Sequence, residues 1–196
     1  MSFGFARYEP PVSQALLGPA WARAPRDLVP GLTGIRLEVV GSGGGVRIHS
    51  VEAYPSGFLI TIESRLAQRR LSAAELRSAA RVGHESTYER EIHDRLLVNI
   101  AFTDRKSFRI QDAKRPPRDP STPAPSGMQV ILLDHSGGSA GDLVSIMARR
   151  LWFTRLPSSG QISVTFAWPG VLAGRRRLSF NADTIIEAAF SVVPSW

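Results

Sequence analysis

The sequence predicts an all-β protein, and a two-sheet β-sandwich is the architecture it favours. Many short segments alternate apolar and polar residues with a period of two, as half-buried strands do. Turn residues, chiefly Gly, Pro, Ser and Asp, separate these segments at regular intervals. A partly closed barrel is the alternative fold. In either case we expect a helical insertion and a short C-terminal helix to cover edges or ends of the sheets.

The most aromatic stretch of the chain, residues 151–168, is predicted to be a β-hairpin with its turn at residues 157–160. Its second arm places one apolar set on a single face: Ile162, Val164, Phe166 and Trp168. On its first arm, Trp152 and Phe153 point to opposite faces, because consecutive side chains alternate across a strand. We therefore expect one of these two rings to pack against something other than the core of the hairpin itself.

Residues 35–65 are predicted to form a meander of three strands: residues 35–40, 46–54 and 58–65. Gly41 and Gly43 begin a GxGxxG pattern between the first two strands, but Val46 occupies the position of the third glycine. The residues that follow are β-branched and alternate, whereas a phosphate-binding loop opens a helix. The glycines are therefore predicted to form a hairpin loop.

One domain, residues 35–196, is predicted to carry an N-terminal arm and two insertions. Residues 1–34 are interrupted by prolines yet rich in large apolar side chains, so we expect an irregular arm that packs along the sandwich. The insertion at 66–95 is predicted to be part helix, with good helix formers at 73–81, and part charged loop. The insertion at 112–127 is rich in proline, and we expect a disordered loop there.

Further strands are predicted at residues 96–102, 107–111 and 128–133, and a final helix at 184–192. Thr184 and Glu187 have the spacing of a capping box at the start of that helix. Its apolar side chains form a stripe suited to docking on the sandwich: Ile185, Ala188, Ala189 and Val192.

The composition excludes several functional classes. The 196 residues include no cysteine, which removes disulfides, thiol catalysis and cysteine-ligated metals. No window approaches the ~20 apolar residues of a membrane span, and no signal-peptide run is evident, so we predict a cytoplasmic protein without membrane contact. The net charge of +7 comes almost wholly from arginine, since lysine occurs only at positions 106 and 114. Such a mild excess is a weak indicator of nucleic-acid binding.

Several segments together resemble a family of actinobacterial β-rich proteins of about this length. They are PRDLVPG at 25–31, VEAYPSGFLITI at 51–62, LLVNIAFTD at 96–104 and WFTRLPxxGxISVTFAWP at 152–169, followed by a helix with the pattern IxxAA. The resemblance covers most of the chain outside the arm and the two insertions. It implies a small, cytoplasmic, β-rich protein. It carries over no catalytic residue, because no activity is established for that family.

One short motif indicates a hydrolase. Residues 137–141, GGSAG, match the GxSxG of a nucleophile elbow and follow an apolar strand. The order of the catalytic residues along the chain differs from that of such hydrolases. There an acid and then a histidine follow the serine, but in this sequence no histidine lies beyond His135. A small serine hydrolase using Ser139 and His135 is therefore kept as an alternative function.

Neither a metal site nor a bound cofactor is predicted. The four histidines lack the spacing of metal ligands: His49, His84, His93 and His135.

The arginine triplet at 175–177 is predicted to lie in a loop where phosphate contacts are feasible, but it lacks the interleaved aromatic residues of a base-stacking surface. Nucleic-acid binding through Arg175, Arg176 and Arg177 is a further alternative.

The function that the sequence favours is a non-catalytic protein-interaction or assembly module. The chain offers no coherent set of nucleophile, base and oxyanion donors. Its apolar arm and its two-sided aromatic strand are, in contrast, surfaces that a protein partner or a second copy could cover. The predicted partner-binding residues are Phe3, Phe5, Tyr8, Trp21, Trp152 and Phe153.

Overall fold

The computed structural model describes residues 18–67, 95–139 and 144–195. Its strands are β1 Leu28–Val29, β2 Gly31–Leu32, β3 Leu37–Gly41, β4 Gly44–Tyr54, β5 Gly57–Ala67, β6 Leu97–Phe102, β7 Ser107–Arg109, β8 Val130–Ser139, β9 Val144–Phe153, β10 Gln161–Ala167, β11 Arg175–Asn181 and β12 Val193–Pro194. The α-helix among the described residues, α1, spans Asp183–Ala189, and short 3₁₀ turns occupy Ala20–Ala22 and Ile110–Asp112. The helix predicted at 73–81 lies outside the described residues.

The strands form two main antiparallel sheets, which confirms the all-β sandwich. The large sheet has the order β2-β4-β5-β9-β8, with β3 also paired to β4, and the small sheet has the order β11-β10-β6-β7. β1 and β12 form a separate two-stranded sheet. None of these sheets closes into a barrel within the described ranges.

Aromatic rings from both main sheets meet in the centre of the sandwich. Phe58 of β5 and Phe153 of β9 are register partners in the large sheet, and their rings stack with centroids 4.4 Å apart. Phe102 and Phe108, from the small sheet, each approach Phe153 edge to face at 6.0 Å. Such geometry is the favourable arrangement for ring quadrupoles, so these four rings join the two layers.

The large sheet is covered on its outer face as well. Tyr54, Leu59, Ile131 and Trp152 form a second buried cluster there. Trp21, from the N-terminal arm, packs over this cluster. The expectation that Trp152 and Phe153 face different environments is therefore confirmed, because Phe153 enters the core between the sheets and Trp152 lies under the arm.

The predicted hairpin at residues 151–168 is wrong. β9 pairs with β5 and β8 in the large sheet, whereas β10 pairs with β6 and β11 in the small sheet. Residues 154–160 therefore cross from one sheet to the other. Alternation assigns side chains to faces but does not identify the pairing partner, and this connection is longer than the two-residue turns that hairpins favour.

The remaining elements are mostly of the predicted type, strand or helix, but several begin or end at other residues than predicted. The meander of β3, β4 and β5 is confirmed, with a tight turn closed by the pairing of Gly41 with Gly44. β8 continues to residue 139 and lies at the edge of the large sheet, and the arm contributes β1 and β2 rather than remaining irregular. The final helix begins at Asp183, whose N–H donates to the Asn181 side chain at 3.0 Å, so Thr184 lies inside the helix instead of capping it.

Replacing Phe153 by alanine should destabilise the protein by about 3–5 kcal/mol, because it leaves a cavity among three packed rings. Chemical denaturation of the wild type and the variant measures this difference. Leu97→Ala provides a matched control, since Leu97 is half exposed on β6 and its loss should cost under about 1 kcal/mol. Equal losses in the two variants would contradict the assignment of Phe153 to the core between the sheets.

Glu63 anchors a charged cluster at the other end of the outer face. Arg47 Nη2 donates to Glu63 Oε2 at 2.8 Å and Arg65 Nε donates to Oε1 at 2.5 Å, while His49 Nδ1 lies 3.9 Å from Oε2. Burial alone raises the pKa of the Glu63 carboxyl, but the hydrogen bonds and charges of the two arginines outweigh it and lower the pKa below its ordinary 4.5. The ionised form of Glu63 therefore stabilises the folded state.

Acidification should remove this contribution. The folded pKa of Glu63 is lower than the unfolded one, so its stabilisation is present above pH 4.5 and is lost as the pH falls through the folded value. Glu63→Gln should cost about 1–2 kcal/mol at pH 7 and less at pH 3, as measured by urea unfolding at both pH values. Glu187→Gln, at an exposed position of α1, should leave both measurements unchanged, and a Glu63→Gln loss that is equal at both pH values would contradict the ion-pair origin.

Candidate functional site

The structure places the predicted partner-binding aromatics of the described ranges in contacts within the chain. Phe153 and Trp152 are buried, and Trp152 Nε1 donates to the main-chain oxygen of Trp21 at 2.8 Å. Trp21 in turn donates from Nε1 to the main-chain oxygen of Thr122 at 2.8 Å. The two indole groups thus connect the arm and the proline-rich loop with the sheet, and the rings of Trp152 and Phe153 are buried within the chain while Trp21 is partly buried. The remaining three residues, Phe3, Phe5 and Tyr8, lie outside the described residues.

Ser139 and His135 are not brought together by the fold. Both belong to β8, where Ser139 pairs with Ser145 and His135 with Arg149 of the neighbouring strand. Four residues along an extended strand separate their Cα atoms by about 13 Å. The chain resumes after residues 140–143 as the strand β9, whereas a nucleophile elbow leads from a strand into a helix.

The arginine triplet lies in a strand rather than in the predicted loop. Arg175, Arg176 and Arg177 begin β11 at the edge of the small sheet, so Arg176 points to the opposite face from its two neighbours. Arg177 Nη2 donates to Ser163 Oγ at 2.7 Å, which ties it to the sheet surface. The three side chains therefore do not form one patch.

Among the residues that the structure describes, no group of three or more His, Asp or Glu side chains could hold a metal ion. His84 and His93 lie outside the described residues, and His49 and His135 stand on different strands, β4 and β8.

A groove of about 490 Å³ on the outer side of the large sheet is a candidate site. Its walls come from the arm at residues 23–26 and the proline-rich loop at residues 115–118, and its floor comes from the ends of β4, β8 and β9. Five arginines line it: Arg23, Arg26, Arg115, Arg118 and Arg150. Asp134 is the acidic residue of the lining, so the groove is strongly positive.

Hydrogen bonds to main-chain oxygens hold both walls of this groove. Lys114 N donates to the oxygen of Val130 at 3.1 Å, and Leu132 N donates to the oxygen of Lys114 at 2.8 Å, so residue 115 is held beside the edge of β8. On the other wall, Ser195 Oγ donates to the oxygen of Arg26 at 3.2 Å. Contrary to the predicted disorder, the proline-rich loop therefore packs against the sheet edge.

The floor of the groove combines one ion pair with an uncharged phenol. Arg150 Nη1 lies 3.4 Å from Asp134 Oδ2, across neighbouring strands. Burial raises the pKa of Tyr54, and the charge and hydrogen bond of Glu52 add to this effect while the charge of Arg150 opposes it. Tyr54 thus presents a neutral ring to the groove at ordinary pH.

The groove was missed because no local run of charge marks it. Arg23 and Arg26 belong to R-A-P-R, and Arg115 and Arg118 belong to R-P-P-R, two segments that lie far apart in the chain. A proline-favoured extended backbone has three residues per turn, so arginines three positions apart fall on one side. The repeated R-x-P-R spacing was the signal in the sequence, but it could not reveal that the two segments face one another.

Exposed apolar side chains form a second feature, here called the apolar end. Val29 of β1 and Val193 of β12 are register partners and are 46% and 51% exposed. Phe190, directly after α1, is 85% exposed, and Leu32 of β2 is 76% exposed. A Cβ placed on Gly31 would meet the Ala188 oxygen, which shows that β2 abuts the end of α1. The four residues therefore lie on neighbouring segments of the chain.

No protein-family model, curated protein or solved structure matches this chain in the comparisons made with each. The resemblance to the actinobacterial family thus stays a prediction. Within the described ranges, no helix has the length and apolar character needed to cross a membrane.

Trp21→Phe should loosen the proline-rich loop while preserving most of the apolar cover over Trp152. The variant loses the donor to Thr122, a net cost of about 0.5–1.5 kcal/mol. Hydrogen exchange should show faster exchange at residues 115–124 and unchanged exchange in β5. Trp152→Phe is the companion variant, because it removes the donor to Trp21 instead. Unchanged loop exchange in both variants would contradict an anchoring role for these two indole groups.

Proposed function

We propose that this chain is a non-catalytic interaction module that assembles with a second copy of itself through the apolar end. The observation that carries the proposal is the exposure of Phe190, which leaves 85% of a large aromatic residue in water beside further exposed apolar residues. Contiguous apolar surface of this kind is typical of interfaces rather than of solvated surface.

A second copy is the partner that this surface suits best. The four side chains of the apolar end are uncharged, and interfaces between identical subunits are the more apolar class. β1 and β12 form a sheet of only two strands, so each retains an outer edge with unpaired main-chain groups. A two-fold axis could pair such an edge with its own copy, which closes the assembly at two subunits.

Phe190→Ser should weaken self-association by roughly tenfold or more, because it removes the largest apolar side chain of the proposed interface. Sedimentation equilibrium of the full chain over a range of concentrations measures the dissociation constant. Val40→Ser is the matched control, since Val40 is 71% exposed on β3 and lies away from the apolar end. A wild type that stays monomeric at every concentration, or equal effects of the two substitutions, would contradict the proposal.

A further inference from the structure

We propose that the arginine-lined groove binds a small phosphorylated molecule, with the phosphate groups held between its two R-x-P-R walls. The inference is independent of self-association, because it rests on a different set of residues. Its basis is a concave, positively charged site that the described contacts leave largely unneutralised.

The charge balance of the groove requires an anion. Arg26, Arg115 and Arg118 are exposed and form no ion pair among the described residues. Arg150 shares its charge with Asp134, the acidic residue of the lining. The neighbouring Asp119 carboxylate accepts hydrogen bonds from the Ser121 N–H and hydroxyl at 2.9 and 2.7 Å, so it is engaged in its own turn. Several guanidinium groups gathered around one concavity repel one another until an anion enters.

Arginine is also the residue type that suits phosphate. The planar guanidinium presents a fixed fork of N–H donors that matches two oxygens of a phosphate group. Both arginines of each R-x-P-R segment belong to the lining of the groove, so each wall brings arginine to the same concavity. Proline restricts the backbone of both walls, so little conformational freedom remains to be lost when a ligand binds.

The size and the remaining lining favour a small molecule over a nucleic-acid strand. A volume of about 490 Å³ falls within the usual range of roughly 300–1,000 Å³ for small-molecule sites. Leu133, Pro116 and the Tyr54 ring give the floor an apolar part that can contact an organic group attached to the phosphates. Single-stranded nucleic acid needs a series of aromatic platforms, whereas Tyr54 is the one aromatic residue of this lining.

Binding is tested by isothermal titration of the full chain with inorganic pyrophosphate and, separately, with a nucleoside diphosphate. We expect saturable binding that weakens as salt is added. Arg115→Ser combined with Arg118→Ser should weaken it by roughly tenfold or more, because both forks of one wall are lost. The matched control is Arg175→Ser with Arg176→Ser, which makes the same change in charge on β11 and should alter the affinity less than about twofold.

The two ligands distinguish the source of the phosphate. Tighter binding of the nucleoside diphosphate indicates that the apolar floor contacts an organic group, and equal binding indicates recognition of the phosphates alone; both support the proposal. Absence of binding by either ligand would overturn it. Equal weakening in the two double variants would also overturn the proposal, since binding would then depend on net charge. A third contradicting result is tighter binding of a single-stranded DNA oligonucleotide that is lost in the β11 variant.

Thermal unfolding without ligand shows whether the variants remain folded. Arg115→Ser with Arg118→Ser should leave the Tm unchanged or raise it, because like charges are removed from exposed positions. If the Tm falls, Arg26→Ser replaces this variant, since it weakens the opposite wall, whose main chain is held by Ser195. Unaltered ligand affinity in Arg26→Ser would then count against the groove.

Discussion

The fold depends on covering both faces of the large sheet. Its central strands carry large apolar side chains on each face, most clearly at Trp152 and Phe153, which are consecutive residues of β9. Each such side chain contributes roughly 1.5–3 kcal/mol only when it is removed from water, so neither face can remain open there. The small sheet covers one face. The arm and the proline-rich loop cover part of the other.

The residues that cover the outer face near Trp152, around Trp21 and in the proline-rich loop, lie outside the strands, and this determines how they are attached. Proline-rich segments have few N–H groups to donate but many carbonyl oxygens to accept. The indole N–H groups of Trp21 and Trp152 meet that need, since each donates to a main-chain oxygen of the cover. Lys114 adds a bridge to β8 at the sheet edge. Two indole donors and one bridge therefore add to the pairing of β2 with β4 in connecting the arm and the proline-rich loop with the large sheet.

Local pattern predicted much of this architecture but not its long-range pairing. Alternation placed Phe166 on a buried face correctly and set Trp152 and Phe153 on opposite faces, because side-chain direction is a property of the strand itself. It left open which of those two rings enters the core. It could not show that β9 and β10 belong to different sheets, since that depends on strands distant in sequence. The groove was hidden for the same reason: Arg23 and Arg115 stand in separate proline-containing segments, and only the packing of both segments beside β8 and β9 brings them together.

The groove and the apolar end are connected through a short piece of main chain. Arg26 lines the groove, and β1 begins two residues later with Leu28, so both surfaces share the segment between them. The Ser195 N–H donates to the oxygen of Asp27 at 2.8 Å, and its hydroxyl holds the oxygen of Arg26, which joins the end of β12 to the same segment. Under the two proposals, an anion at the R-A-P-R wall and a second copy at Val29 and Val193 would act on the same segment of main chain. Any coupling between them would then be reciprocal: anion binding would change the affinity of self-association by the same factor as self-association changes the affinity for the anion.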